Sequence, residues 1–78
     1  MKDLILYLAK SLVNHPDEVE VKEIQGEASA IIELRVAKED LGRIIGKQGR
    51  TAKSLRTIIN AAASRSNRKI VLEIVEEQ

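Results

Sequence analysis

The sequence has no cysteine, so disulfide bonds and thiolate metal sites are excluded. Phenylalanine and tryptophan are also absent and Tyr7 is the single aromatic residue, so the core has to be built from Ile, Leu, Val and Ala. No apolar run approaches the ~20 residues that a membrane-spanning helix needs, and nothing resembles a signal peptide. These absences lead us to expect a cytoplasmic protein with no membrane contact.

Acidic residues are missing from the middle of the chain. The 78 residues include 13 Lys and Arg and 12 Asp and Glu, a net charge of +1. Residues 1–40 carry five basic and nine acidic residues, whereas residues 41–69 carry eight basic residues and no acid. Such a stretch in a chain otherwise rich in Glu indicates one basic face for a polyanion. The alternative, a solvated helix surface, usually mixes charges of both signs.

Apolar periodicity predicts the element order α-β-β-α-α-β within one domain over residues 1–78. The predicted helices cover residues 2–14, 38–45 and 50–65, and the predicted strands cover residues 18–25, 30–36 and 69–75. A short turn makes the first two strands antiparallel, whereas the two-helix connection lets the second and third lie parallel. We therefore predict an α+β domain with a three-stranded mixed sheet covered on one face by three helices.

Three apolar faces are predicted to build the core. On the first helix, the apolar positions at helical spacing are Leu4, Ile5, Leu8 and Leu12, with Ala9 on the edge of the stripe. On the last helix, the apolar face consists of Ala52, Leu55, Ile58, Ile59 and Ala62. The second strand alternates, and its inward face consists of Ala30, Ile32, Leu34 and Val36.

Two glycines three residues apart, Gly46 and Gly49, separate the second and third predicted helices. Glycines allow a tight turn and leave the backbone open to close approach. The helix that begins near Arg50 offers unpaired N–H groups, which favour anions, and Lys47 and Lys53 lie close by in sequence. A GxxG pattern alone is weak evidence, but its place between two helices, at the opening of the acid-free stretch, favours phosphate binding.

The stretch from Leu41 to Thr57, with its GxxG loop, resembles the signature of KH domains. In that family the loop clamps the backbone of about four nucleotides. The predicted element order, with a helix and a strand before the βααβ unit, resembles the type II KH arrangement. A chain holding one such domain is similar to the KhpA/YlqC family of small bacterial KH proteins, which implies binding of single-stranded RNA.

The resemblance also implies which residues contact RNA. The glycines shape the loop, Lys47 and Gln48 contact phosphate and sugar, and Ile45 together with Ile32 or Leu34 helps to floor a groove for the bases. The implied RNA-binding set is Gly46, Lys47, Gln48, Gly49, Arg50, Lys53, Arg43 and Ile45. Because stacking on an aromatic side chain is worth ~1–3 kcal/mol per base and Phe and Trp are absent, we expect weak, promiscuous and salt-sensitive binding.

The resemblance implies protein partners as well. Similar proteins form homodimers and also pair with a larger KH-containing protein, called KhpB or Jag. That pair is implicated in RNA chaperoning and in the control of cell-wall synthesis and cell shape. None of this follows from the residues themselves.

Two other classes of function stay open at this point. A helix-turn-helix-like DNA reader also has two helices around a Gly-containing turn, and a protein-interaction module would use the exposed sheet edge with Ile31, Val71 and Val75. An enzyme is not expected, because the only histidine is His15 beside Pro16 and no carboxylate cluster lies near a nucleophile. We expect no catalytic residue, cofactor or metal.

Overall fold

The structure is a computed structural model that describes residues 2–75, apart from the side chain of Ser66. Within this range the order is α-β-β-α-α-β, as predicted. The elements are α1 (Lys2–Leu12), β1 (Glu20–Gln25), β2 (Ser29–Arg35), α2 (Leu41–Ile45), α3 (Arg50–Ala63) and β3 (Lys69–Ile74). Short 3₁₀ turns cover Pro16–Glu18, Lys38–Asp40, Lys47–Gly49 and Ser64–Ser66. No helix of the described residues is long and apolar enough to cross a membrane.

The three strands form one mixed sheet in the order β1-β2-β3. β1 and β2 are antiparallel, with Glu20 opposite Arg35, because a short turn joins them. β2 and β3 are parallel, with Ser29 opposite Lys69, because α2 and α3 connect them. The predicted mixed sheet is confirmed, and β2 lies at its centre.

The core is aliphatic and lies between the helices and one face of the sheet. The buried cluster takes side chains from all three helices and from β2 and β3, and consists of Ile5, Ala9, Val19, Ile32, Leu34, Val36, Ile44, Leu55, Ile59 and Leu72. The alternation predicted for β2 is confirmed, since Ala30, Ile32 and Leu34 are all buried. The three helices therefore cover the same sheet face, as predicted.

The helix faces are rotated relative to the prediction. Ile5 and Ala9 are fully buried, whereas Leu4 and Leu12 are 38% and 39% exposed. Leu6 and Leu8 are half-buried and pack against the core, so the buried stripe of α1 is centred on Ile5 and Ala9. On α3, Ile58 is 42% exposed because the helix buries Ala52, Leu55, Ile59 and Ala63 instead.

Candidate nucleic-acid interface

The loop between α2 and α3 has a backbone that only glycine adopts readily at two positions. Gly46 has φ 78° and Gly49 has φ 74°. The Gly46 N–H donates to the Gly42 carbonyl at 2.8 Å, and the Gly49 N–H donates to the Gly46 carbonyl at 3.1 Å. Between them Gln48 also has a left-handed backbone, with φ 58°, which costs a non-glycine residue ~1–2 kcal/mol. The loop is therefore a tight, specific turn.

The two glycines are required for different reasons. A Cβ atom on Gly46 would lie 2.8 Å from the Thr51 backbone N and would overlap the Thr51 side chain, in the first turn of α3. A Cβ atom on Gly49 would meet nothing within 4 Å. Gly46 is thus needed both for its φ angle and for close packing against α3, whereas Gly49 is needed for its φ angle alone.

Positive charge surrounds the exposed end of this loop. Lys47 and Gln48 are exposed at its tip, and Arg50 and Lys53 are exposed on the first turn of α3. The N-cap residue of α3 is Gly49, which has no side chain with which to cap the helix. The Arg50 N–H donates to the Lys47 carbonyl, and the positive end of the helix dipole adds to the charges of these side chains. The arrangement suits a phosphate.

The acid-free stretch divides between two ends of α3. Arg50, Lys53 and Arg56 follow the loop on the exposed side of the first half of α3. Arg68 lies beyond the far end of this 14-residue helix and donates from Nη2 to the Gly26 carbonyl at 3.1 Å. The expectation of one continuous basic face is therefore met only near the loop.

Two residues that the sequence placed in a base-binding groove lie differently in the structure. Ile32 and Leu34 are 0% exposed. The prediction that one of them floors a base-binding groove is wrong, because both are enclosed in the core. Ile45 is half-buried at the end of α2. The guanidinium of Arg43 faces the side-chain amide of Asn14. With the Asn14 amide oxygen turned toward it, this oxygen accepts from Arg43 Nε at 3.3 Å and from Arg43 Nη2 at 3.1 Å.

A polar cluster around one buried carboxylate lies at the start of α2 and was not predicted from the sequence; it is formed by Asn14, His15, Asp40 and Arg43 and is called here the Asp40 cluster. The side chains of His15 and Arg43 in it are 45% and 56% exposed. Asp40 is 1% exposed and is the one buried charged residue among those described. Its Oδ1 accepts from the Asn14 N–H at 3.1 Å, and its Oδ2 accepts from the His15 N–H at 2.9 Å and contacts His15 Nδ1 at 3.0 Å. Arg43 Nε lies 3.9 Å from Asp40 Oδ1.

The cluster shifts the pKa of both titratable partners. Burial by itself would raise the pKa of Asp40, but the hydrogen bonds from the Asn14 N–H and from His15 outweigh burial and lower it. The hydrogen bond to Asp40 raises the pKa of His15, and the negative charges of Glu18 and Glu39 add to that rise. The only sequence signal was the acid directly before a short apolar helix, which also suits an ordinary first-turn residue.

The βααβ unit with its glycine loop, preceded by a helix and a strand, has the architecture of a type II KH domain. A family model described as the KH domain of KhpA/KhpB matches residues 2–74. The chain belongs to this family.

Curated relatives agree with the family match. The RNA-binding protein KhpA of Clostridium acetobutylicum is 57% identical over 75 residues, which cover 96% of this chain and all of the relative. The protein of the same name from Chlamydia caviae is 53% identical over the full length of both chains. That of Borreliella burgdorferi is 47% identical over 74 residues, which cover 95% of this chain and 90% of the relative. A comparison with solved structures found no match.

Proposed function

We propose that the protein binds single-stranded RNA by gripping its backbone with the loop Gly46–Gly49. The observation that carries this proposal is the uncapped N-terminus of α3 beneath the exposed loop tip, with Lys47, Arg50 and Lys53 beside it. Among the described residues, none of these three side chains is engaged in an ion pair or side-chain hydrogen bond. The names of the relatives, which call them RNA-binding proteins, support the same function.

In the proposed complex, backbone N–H groups at the start of α3 donate to a phosphate, and the exposed cations neutralise neighbouring phosphates. Such contacts position the strand without reading its sequence. Bases would lie toward Ile45, which is only half-buried. Because no Phe or Trp is present to stack on them, binding is weak for each base and tolerant of sequence.

The proposal is tested by fluorescence anisotropy with labelled single-stranded RNA. The test variant combines Lys47→Asp with Gln48→Asp, which places two negative charges at the loop tip and keeps both glycines. The matched control combines Lys22→Asp with Gln25→Asp, the same residue changes on exposed positions of β1. We expect the loop variant to lose at least ten-fold in affinity and the control to stay within two-fold of wild type.

The outcomes separate the rival functions. Equal losses in both variants would mean that overall charge, not the loop, drives binding, and would overturn the proposal. Tighter binding of duplex DNA than of single-stranded RNA would favour the helix-turn-helix-like alternative. Circular dichroism of all three proteins verifies that each is folded before affinities are compared.

We further propose, from the family resemblance, that the protein acts as an RNA chaperone or post-transcriptional regulator in cell-wall and cell-shape control, with a second copy of itself or a larger KH-containing partner such as KhpB. An exposed apolar groove of about 240 Å³ between α1 and α3 supports a contact between copies. Leu12 and Ile58 line it, at 39% and 42% exposed. In a two-fold interface the same patch of each copy contacts the other, so exposed apolar side chains such as these would bury one another.

The sheet face named from the sequence is a weaker candidate for this contact. Ile24, Ile31 and Val71 lie side by side across the three strands on the uncovered face. The next outward-facing row carries Glu33 and Glu73, so the apolar patch there is narrow. Sedimentation equilibrium of Ile58→Asp and Val71→Asp distinguishes the two surfaces. We expect only the first to shift the protein toward monomer, and the reverse would assign the contact to the sheet.

A further inference from the structure

The helix that carries the loop is too short to hold its own position. α2 has five residues, whereas isolated helices below about 12–15 residues are marginal in water. Its apolar anchor is Ile44, which is 0% exposed. Its polar anchor is Asp40, directly before the helix, which accepts hydrogen bonds from the α1–β1 connection. The start of α2 is therefore fixed by groups 25 and 26 residues earlier in the chain.

A displacement of α2 would reach the loop directly. The Gly46 N–H donates to the Gly42 carbonyl within α2, so the loop begins as a continuation of the helix. On its other side the Gly46 α-carbon packs against Thr51, at the start of α3. These two contacts connect α2 to the loop without a flexible linker, so the orientation of the loop tip follows the orientation of α2.

From this geometry we propose that Asp40 and His15 are positioning residues for the loop, and that protonation of His15 strengthens their contact and raises the affinity of the loop for an RNA backbone. The effect on affinity rests on the proposed function. Neither side chain is proposed to touch the nucleic acid. The hydrogen bond between His15 Nδ1 and Asp40 Oδ2, at 3.0 Å, is the contact that changes with protonation.

The charges around His15 favour its protonated form. The carboxylate of Asp40 faces the His15 ring. Glu39 precedes Asp40 on the same 3₁₀ turn, and Glu18 lies on the 3₁₀ turn that follows His15. The cation that faces Asp40 from α2 is Arg43, whose Nε lies 3.9 Å from Oδ1. The hydrogen bond to Asp40 is the largest cause and raises the pKa of His15, against a smaller lowering by desolvation. His15 is also the only histidine in the chain, so no other side chain ordinarily titrates near neutral pH.

The positioning of the loop is tested without RNA. Two-dimensional ¹H–¹⁵N NMR spectra of wild type and His15→Gln are recorded from about pH 5.5 to about pH 8, a range that brackets an imidazole pKa. The variant keeps a polar side chain at this position but takes up no proton there, and the α-amino group, which also titrates in this range, is common to both proteins. We expect the Gly46 and Gly49 amide signals of wild type to shift with the midpoint of the His15 ring, and those of the variant to stay in place. If the chemical shifts of the Gly46 and Gly49 amides do not change as the His15 ring titrates, the inference is overturned.

The effect on affinity is tested by anisotropy with oligouridine at constant ionic strength. We expect wild type to bind about five-fold more tightly at the acidic end, the low end of typical coupling between sites. His15→Gln should bind equally at both ends, at the affinity of wild type at alkaline pH. The slope of log affinity against log salt should not depend on pH, because a direct phosphate contact by His15 would change it by about 0.7. A changed slope would make His15 a contact residue and overturn its positioning role.

Asp40→Asn provides an independent check. It replaces the carboxylate by an amide whose N–H₂ group repels the facing donors, so the pH dependence should disappear and His15→Gln should have no further effect in this background. Additive effects of the two changes would contradict a shared contact. If Asp40→Asn does not fold, the His15→Gln data decide alone. If wild type binds no RNA at any pH, the proposed function and the effect on affinity both fail, while the glycine signals still decide whether His15 positions the loop.

Discussion

Charged side chains are paired within the protein at the start of α2, whereas those beyond its end are exposed to solvent. At its start, Asp40 is enclosed and accepts hydrogen bonds from Asn14 and His15, and Arg43 turns toward the same cluster. Beyond its end, Lys47 and Arg50 are exposed beside the N-terminus of α3, whose N-cap residue is Gly49. A charge that the fold pairs internally stabilises the architecture, because leaving it unpaired in the interior would be costly. A charge left without a partner next to oriented N–H groups remains available to an external anion.

The largest expected effect is the difference in stability between alanine substitutions of the two loop glycines. Gly46→Ala should lower the free energy of unfolding by roughly 2–6 kcal/mol, because a backbone with φ 78° and ψ 170° costs a non-glycine residue ~1–3 kcal/mol and overpacking against Thr51 costs ~1–3 kcal/mol more. Gly49→Ala meets open space and should cost only about 1–2 kcal/mol. Urea unfolding of the two variants measures the difference. Equal losses would show that Thr51 moves aside at no cost.

A smaller effect distinguishes Arg43 of α2 from Arg50, the first residue of α3. Arg50→Gln should reduce the magnitude of the salt slope of RNA binding by about 0.7, the contribution of one phosphate contact to a single strand. Arg43→Gln should change that slope less, because its guanidinium is already held by Asn14 and lies 3.9 Å from Asp40. Salt titrations of the two variants, which lose the same charge, make the comparison. A larger change for Arg43→Gln would place the RNA backbone over the Asp40 cluster instead.

The smallest expected effect is the pH dependence of stability. The pKa of His15 is raised, so its contribution is complete below the ordinary value of ~6.5 and is lost as the pH rises through the folded pKa. The pKa of Asp40 is lowered, so its contribution is complete above the ordinary value of ~3.9 and is lost as the pH falls through the folded pKa. The pair should therefore stabilise the protein most between about pH 4 and 6.5.

Thermal unfolding at several pH values checks this window. The melting temperature of wild type should exceed that of His15→Gln most clearly inside it, and the gap should narrow as the pH rises above the His15 pKa. A constant gap would mean that the ring acts through packing rather than through its charge.

The loop was predictable because its requirements are local. A backbone with φ near 75° at Gly46 and Gly49 needs glycine whatever surrounds it. The exposed positions of Lys47 and Gln48 between two helices follow from the same short stretch. The element order and the inward face of β2 were also predictable, since alternation and helical spacing depend on near neighbours in the chain. Whether these residues contact RNA stays a prediction.

The Asp40 cluster was not predictable from any such pattern. Asp40 and its donors are 25 and 26 residues apart, so their meeting depends on how α1 and α2 pack. The same packing turns Arg43 toward Asn14 and encloses Ile32 and Leu34, which a pattern of apolar residues does not separate from a groove floor. Sequence periodicity identifies an apolar face but not which part of it another element covers.

The sequence alone thus determined the fold class, the aliphatic core and the place of the glycine loop, because each is set by backbone preferences and side-chain spacing over a few residues. Tertiary structure decided the rotation of α1 about Ile5 and Ala9, the burial of Asp40 and the partner of Arg43. These depend on contacts between distant segments, where a close-packed interior accepts only one arrangement and every buried polar group has to find a partner.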